Sequence, residues 1–120
     1  MMRVRGIRGA VTVDADTEEA VLAATSSLLR EMLERNEVDP EDVVSIVFTA
    51  TGDLRSAFPA AAARAIGLDR VPVLSARELD VEGALPMAVR VLLHAYTERS
   101  QGDVAHVYLG DAAALREDLA

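Results

Sequence analysis

One segment in the last third of the chain, residues 87–97 (MAVRVLLHAYT), is apolar along most of its length and carries a single charged side chain, Arg90. Its length and composition predict a β-strand, in which successive side chains point to opposite faces. This alternation places Arg90 on the same face as Ala88 and Leu92. Because a buried guanidinium without a partner is strongly destabilising, Arg90 must face either water at a sheet edge or an anion. Glu78 and a bound carboxylate are the two candidates for that anion.

The length and composition indicate one domain with an aliphatic core. The chain has 120 residues, of which 51% are hydrophobic, but it contains only two Phe, two Tyr and no Trp. We therefore treat residues 1–120 as a single domain. So high an apolar fraction in a short chain hints at burial against other subunits. No apolar run has the length of a membrane span, and the first residues are typical of a strand rather than a signal peptide, so we expect a cytoplasmic protein.

The inventory of basic and sulfur-containing residues excludes several kinds of chemistry. All 12 basic residues are arginine, and the chain contains neither lysine nor cysteine. Schiff-base lysines, thiol nucleophiles, disulfides and cysteine-ligated zinc are therefore excluded. The net charge of −8 argues against a nucleic-acid-binding protein, which would present a basic face. An anionic ligand would have to be bound by a local cluster of arginines against this overall field.

The remaining segments predict a mixed α/β fold with about five strands in a mixed sheet and two main helices. Besides 87–97, the predicted strands are residues 2–13, 43–50, 71–75 and 104–109, and the predicted helices are 16–36 and 56–66. Asp16 is the expected cap of the first helix, with Glu19 at the spacing of a capping box, and Asn36 is its expected end. The continuous apolar run VVSIVFTA predicts a strand that is buried on both faces.

Common catalytic and metal-binding motifs do not occur in the sequence. There is no GxGxxG, GxSxG, HExxH or EF-hand pattern. His94 and His106 lie on different predicted strands without a third ligand, so we expect neither a metal site nor a cofactor. A Ser-His-Asp triad is compatible with the inventory, but no nucleophile elbow supports it.

Four polar residues on or beside the predicted strands are candidates for a binding site: Arg8, Glu78, Arg90 and Tyr108. Arg8 lies between the small residues Gly6 and Ala10 on its face, which leaves space around the cation. Two arginines and a phenol suit a small dicarboxylate, because guanidinium groups bind carboxylates in a bidentate manner. The structural alternatives remain open: the arginines could pair with Glu78, or Arg8 could be solvated beside a β-bulge.

Eight segments distributed along the chain are distinctive: VRGIRGAVTV, TEEAVLAAT, AFPA, VPV, SARELDVEGALP, AVRV, HVYL and LREDL. Together they resemble the small bacterial monofunctional chorismate mutases of the mixed α/β class, nearly from end to end. The resemblance implies a pseudo-α/β-barrel homotrimer with an active site at each subunit interface. It also implies the rearrangement of chorismate to prephenate, toward Phe and Tyr. That reaction is a pericyclic shift within one molecule and needs no nucleophile, metal or cofactor, which agrees with the inventory.

The resemblance implies roles for individual residues. Arg8 and Tyr108 would bind carboxylates, and Arg90 would contact the ether oxygen and a carboxylate. Glu78 would accept a hydrogen bond from the ring hydroxyl. The other implied substrate-binding positions are Ser75, Phe58, Arg64, Leu115 and Arg116. From the residues alone, Phe58 is either a helix staple or a pocket wall, and Arg64 is a solvated helix residue.

One departure from the family concerns the mouth of the site, where Ala61 replaces a lysine of some members. Two other functions also remain open. The protein could be a non-catalytic module that binds an aromatic-pathway carboxylate, or a structural trimer whose Arg–Glu pairs cross its interfaces. We expect no feedback by Phe or Tyr, since no regulatory domain is visible.

Overall fold

A mixed five-stranded sheet forms the centre of the computed structural model, which describes the backbone of residues 1–119 and the side chains of residues 1–114. The strands are β1 (Arg3–Thr12), β2 (Val43–Ala50), β3 (Val73–Arg77), β4 (Ala88–Thr97) and β5 (Val107–Leu109). The helices are α1 (Glu18–Arg35) and α2 (Ala61–Ala65), and 3₁₀ segments occupy Pro40–Asp42, Gln101–Asp103 and Gly110–Leu119. The predicted mixed α/β class, with five strands and two helices, is confirmed. None of the described helices is both long and apolar enough to cross a membrane.

Strand β4, the predicted strand that contains Arg90, lies at the centre of the sheet. The spatial order is β3-β2-β4-β1-β5, and β4 runs antiparallel to both of its neighbours. The outer pairs, β1 with β5 and β2 with β3, are parallel. The pairing of β1 with β4 is continuous from Arg3 opposite Thr97 to Thr12 opposite Ala88. The alternative of a β-bulge at Arg8 is therefore wrong.

Helix α1 covers one face of this sheet and forms the core with it. Its buried residues Leu28 and Met32 contact the sheet where Gly9 offers no side chain. A Cβ atom at Gly9 would lie 2.5 Å from the sulfur of Met32, so this glycine permits the close approach of helix and strand. Burial of an aliphatic side chain of this size contributes about 1.5–3 kcal/mol. The core therefore lies between the helices and one face of the sheet.

In the part of the chain that the structure describes, no α-helix covers the opposite face of the sheet. On β4, Val89, Val91 and Leu93 are buried toward the helices, whereas Arg90 is only half-buried on the other face. Strand β2 shows the same asymmetry, and the prediction that it is buried on both faces is wrong for the isolated chain. Because this second face is open, its side chains are available to a ligand or to another subunit.

The N-cap of the first helix lies one residue later than predicted. Thr17 is the N-cap, and its hydroxyl accepts a hydrogen bond from the backbone N–H of Ala20. Asp16 instead accepts hydrogen bonds from the backbone N–H groups of Arg55 (2.9 Å) and Ser56 (3.0 Å). The capping-box prediction for Asp16 is therefore wrong, because a distant loop takes up its carboxylate.

The other end of α1 was predicted correctly, and it has the geometry of a Schellman motif. Asn36 is the C-cap, and Glu37 follows in the left-handed region with φ of 52°. The N–H of Val38 donates to Leu33 O (2.9 Å), and that of Glu37 donates to Glu34 O (3.1 Å).

Besides α1, three elements have a boundary that differs by two or more residues from its predicted position, and hydrogen bonds to other elements account for them. Helix α2 starts at Ala61 rather than at residue 56, since Asp16 binds the preceding loop. Strand β3 spans Val73–Arg77 rather than 71–75, because its pairing with β2 continues to Ala50 opposite Arg77. Strand β5 starts at Val107 rather than at residue 104, because Asn36 binds both backbone groups of Ala105.

Candidate functional site

A row of aligned residues crosses four strands on the open face of the sheet. Ala10 on β1 lies opposite both Arg90 on β4 and Tyr108 on β5, and Arg90 lies opposite Thr49 on β2. Residues opposite each other in a sheet point to the same face. Arg8 is two residues before Ala10 and therefore shares this face as well. The strand register thus brings together three of the predicted site residues, Arg8, Arg90 and Tyr108.

A cavity of about 430 Å³ lies over this row. Ala10 forms part of its floor, and its small side chain leaves room between Arg90 and Tyr108. The lining residues are Arg8, Gly9, Ala10, Val47, Thr49, Arg90, Val91, Leu92 and Tyr108. The cavity therefore combines two guanidinium groups and a phenol with apolar walls, which suits a small anion with an apolar ring.

Arg90 has only part of its charge compensated. Its Nε atom lies 3.4 Å from Glu78 Oε1, close enough for an ion pair. The geometry is not that of a hydrogen bond, and this buried Nε has no hydrogen-bond partner among the described residues. An unpaired buried N–H group costs about 1–3 kcal/mol. Both candidates for the anion of Arg90 are therefore compatible with the structure: Glu78 is its neighbour, and a further acceptor would complete its hydrogen bonding.

Glu78 is held rigidly at the end of β3. Its backbone N–H donates to Ala50 O (2.9 Å), which extends the pairing of β3 with β2 by one residue. The hydroxyl of Thr49 donates a hydrogen bond to Glu78 Oε2. One carboxylate oxygen is thereby oriented by Thr49, and the other faces Arg90.

Two other predicted residues, Phe58 and Ser75, line a different cavity of about 600 Å³. Ser75 lies opposite Phe48, a core residue, and so belongs to the face of the sheet that carries the helices. Phe58 is 76% exposed, so the staple interpretation is wrong. This second cavity shares no lining residue with the one around Arg90. A single chain therefore does not bring Phe58 and Ser75 to Arg90.

The remaining predicted residues lie outside both cavities or outside the described side chains. Arg64 is exposed on α2 and lines neither cavity. Leu115 and Arg116 belong to the 3₁₀ segment Gly110–Leu119, and their side chains lie outside the described residues.

Sequence reasoning missed two residues that support the site. Thr49 binds Glu78, and His106 Nδ1 accepts a hydrogen bond from the backbone N–H of Arg8 (2.9 Å). Burial, and secondarily the positive charge of Arg8, lowers the pKa of His106. The signal in the sequence that places His106 beside the site is its position two residues before Tyr108, on the same face of the predicted strand. Within the described part of the chain, no three His, Asp or Glu side chains lie close enough together to hold a metal ion.

Comparison with known proteins gives consistent results over nearly the whole chain. The family described as chorismate mutase type I matches residues 4–119. Chorismate mutase AroH of Thermus thermophilus is 55% identical over 117 residues, which cover 97% of this chain and 96% of that protein. Chorismate mutase AroH of Bacillus subtilis (strain 168) is 45% identical over 119 residues, covering 98% and 94%. A solved chorismate mutase structure from Clostridium thermocellum is similar with a TM-score of 0.90 at 42% identity, covering 92% of this chain and 98% of that one.

Proposed function

Because this chain belongs to the chorismate mutase type I family, we propose that the cavity around Arg90 is the main part of its active site. The protein is an isomerase that converts chorismate to prephenate in the biosynthesis of aromatic amino acids. The observation that carries the site assignment is Arg90, which lines this cavity with Arg8 and whose buried Nε has no hydrogen-bond partner among the described residues.

The reaction breaks a carbon–oxygen bond and forms a carbon–carbon bond within one molecule. Negative charge grows on the ether oxygen as the bond breaks. A fixed cation beside that oxygen stabilises the transition state more than the ground state, which is the condition for a faster reaction. We assign this role to Arg90, whose neighbours on the same face of the strand, Ala88 and Leu92, are apolar.

The other residues hold chorismate in the reactive conformation, since positioning supplies much of the acceleration of such a reaction. Arg8 and Tyr108 bind the carboxylates of the substrate, and both line the cavity. Glu78 accepts a hydrogen bond from the ring hydroxyl, with its carboxylate oriented by Thr49. The chain acts as one domain in the cytoplasm, where bacterial amino-acid biosynthesis takes place.

We further propose that the enzyme is a homotrimer in which a neighbouring subunit completes each site. Ser75 and Phe58 lie on the other side of the sheet from Arg90, so only a second copy can bring them to it. All residues of β3 are exposed in the single chain, including Leu74 at 64%, which supports an interface at this edge. Phe58 and Ser75 of the neighbour form one wall, and Arg64 lies near the entrance beside Ala61. Leu115 and Arg116 are the further substrate-binding positions that we propose from the family, and their side chains lie outside the described residues.

Substitution of Arg90 tests this assignment. We expect Arg90→Ala and a neutral isostere, citrulline at position 90, to lower kcat about 100- to 1000-fold, the usual cost of removing a preorganised transition-state donor. The measurement is the loss of chorismate absorbance with purified protein. Arg30→Ala, which removes an exposed arginine of α1, is the matched control and should keep normal turnover.

The neutral isostere separates charge from shape. If the citrulline variant keeps near-normal kcat, the electrostatic role of Arg90 is wrong. If the unmodified protein binds chorismate without consuming it, the protein is a binding module rather than an enzyme.

A further inference from the structure

A side chain just before the start of the neighbouring strand β5 accepts the hydrogen bond of the backbone N–H of Arg8. Strand β5 begins at Val107, and its pairing with β1 begins at Gly9 opposite Val107. The N–H of Arg8 lies just beyond this short ladder. The imidazole of His106 takes the place of a backbone acceptor, since its Nδ1 accepts the hydrogen bond of that N–H at 2.9 Å. The main chain at a proposed carboxylate-binding residue thus depends on one histidine.

The main chain next to His106 is itself fixed to the end of α1. Asn36 is 2% exposed, and its Nδ2 donates to Ala105 O (2.8 Å) while its Oδ1 accepts from Ala105 N (2.8 Å). The same Nδ2 also donates to Met32 O at 2.8 Å. A buried amide with all these contacts cannot move without breaking them. The position of His106 is therefore determined by the packed helix and not by a free loop.

This contact requires neutral histidine with its proton on Nε2, because a protonated imidazole has no acceptor. Burial, followed by the charge of Arg8 on β1, keeps the pKa of His106 below its ordinary value of 6.5. The facing group from α1 in this segment is the uncharged amide of Asn36, and Tyr108 lies two residues further along the chain. Protonation would both break the bond and place a second positive charge beside Arg8.

We propose that His106 is a positioning residue for the chorismate mutase reaction, which holds the main chain of Arg8 so that its guanidinium can bind a substrate carboxylate. The inference rests on the proposed function of Arg8. It predicts that KM rises at acidic pH, because substrate binding weakens, while kcat changes little.

Two substitutions at position 106 separate the acceptor from the ring. His106→Phe keeps a ring but has no acceptor, whereas the amide oxygen of His106→Asn can replace Nδ1 and does not titrate. We expect His106→Phe to raise KM about tenfold at every pH, since the N–H of Arg8 loses the side chain that holds it in place. His106→Asn should keep a normal KM. The KM of the unmodified enzyme should rise below pH 6.5, the ordinary histidine value, and that of His106→Asn should stay flat.

Controls make the outcome decisive. His94→Asn changes the half-buried histidine that contacts Ser45 Oγ, and it should keep the acidic rise in KM. A normal KM in His106→Phe, or an unchanged acidic rise in His106→Asn, overturns the proposal. Should His106→Phe fail to fold, as judged by thermal unfolding, the pH profile of His106→Asn decides alone.

Measuring KM of the Arg8→Ala variant separates a failure of the His106 proposal from a failure of the proposed function. If Arg8→Ala raises KM and His106→Phe does not, the role of His106 alone is wrong. If Arg8→Ala leaves KM unchanged, or if the unmodified protein does not consume chorismate, the proposed function itself fails.

Discussion

At the scale of single residues, Asp16 shows how one carboxylate can hold a loop that carries part of a site. Its Oδ1 accepts the N–H groups of Arg55 and Ser56, and the hydroxyl of Ser56 donates back to Asp16 O (2.7 Å). Arg55 and Ser56 line the same cavity as Phe58. Hydrogen bonds to the ionised carboxylate, the one from Arg55 first, lower the pKa of Asp16 below its ordinary value of 3.8.

We predict that Asp16→Asn lowers stability at neutral pH and weakens the loss of stability in acid. Because the pKa of Asp16 is lower in the folded than in the unfolded protein, its carboxylate contributes to the free energy of unfolding at pH values above the unfolded-state pKa. This contribution is lost as the pH falls through the folded-state pKa. Urea unfolding of both proteins from neutral pH to strong acid should show a difference that narrows below about pH 4. Asp14→Asn is the control with the same change of charge, and a constant difference for Asp16→Asn would contradict the linkage.

Strand alternation predicts the direction of a side chain but not its neighbour in the next strand. The face shared by Ala88, Arg90 and Leu92 followed from period-two alternation and is confirmed. The contact of Thr49 with Glu78 was not predictable in this way, because it depends on the register of β2 against β4. That register shifts between Val43 and Ser45, and no local pattern in the sequence signals the shift.

At the scale of elements, the two helices end in the same motif with different residues. Helix α2 ends at Ala65 with Ile66 as its C-cap, Gly67 follows with φ of 88°, and Leu68 N donates to Ala63 O. Helix α1 places Glu37 at the corresponding position with φ of 52°. A left-handed conformation costs a residue with a Cβ atom roughly 1–2 kcal/mol, and glycine avoids this cost.

We therefore expect Glu37→Gly to stabilise the protein by about 1 kcal/mol. The lost contact with Arg99, at 3.9 Å and with Glu37 85% exposed, contributes little. Urea or thermal unfolding measures the change. Glu34→Gly, in the same helix but with a right-handed backbone, should instead destabilise by about 1 kcal/mol. Equal effects of the two substitutions would refute this explanation.

Whether a segment forms a helix or a strand could be predicted from periodicity and composition, but the first or last residue of several of these elements could not. The apolar period of α1 and the apolar run of β2 are local signals, so both elements were found. The starts of α2 and β5 depend on Asp16 and Asn36, which bind backbone groups about 40 and 69 residues away. Such long-range contacts compete with local propensity, and a single sequence does not display them.

At the scale of the whole molecule, helices cover one face of the sheet and the proposed chemistry occupies the other. Arg8, Arg90 and Tyr108 line a cavity on one face and Phe58 and Ser75 line a cavity on the other, and this division supports the proposal of a site made from two subunits. The trimer was predicted only through the resemblance. Composition alone indicated burial against other subunits, which identifies neither their number nor their orientation.

Mixing inactive variants tests this assembly. Phe58→Asp places a negative charge in the wall proposed to face the dicarboxylate substrate, and Arg90→Ala removes the cation from the opposite wall. Refolded together in equal amounts as a cyclic trimer, the two variants should regain about a quarter of the normal activity, since one interface in four pairs two intact halves. Activity per chain is measured by loss of chorismate absorbance.

A mixture of Arg90→Ala with Arg8→Ala is the matched control, because both changes affect the same half-site. At every ratio its activity should equal the sum of the activities of the two separate variants, with no gain on mixing. No recovery in the first mixture would show that each site lies within one subunit. Recovery in the control would show that Arg8 and Arg90 of one site come from different subunits.

The bare face of the sheet gives the proposed substrate an architectural role. A small molecule held between Arg90 of one chain and Phe58 of the next would join the two copies while it is bound. By thermodynamic reciprocity, whatever tightens the assembly tightens ligand binding to the same degree. Chorismate would then act as a reversible cross-link, and bound chorismate would reduce dissociation of the oligomer on dilution.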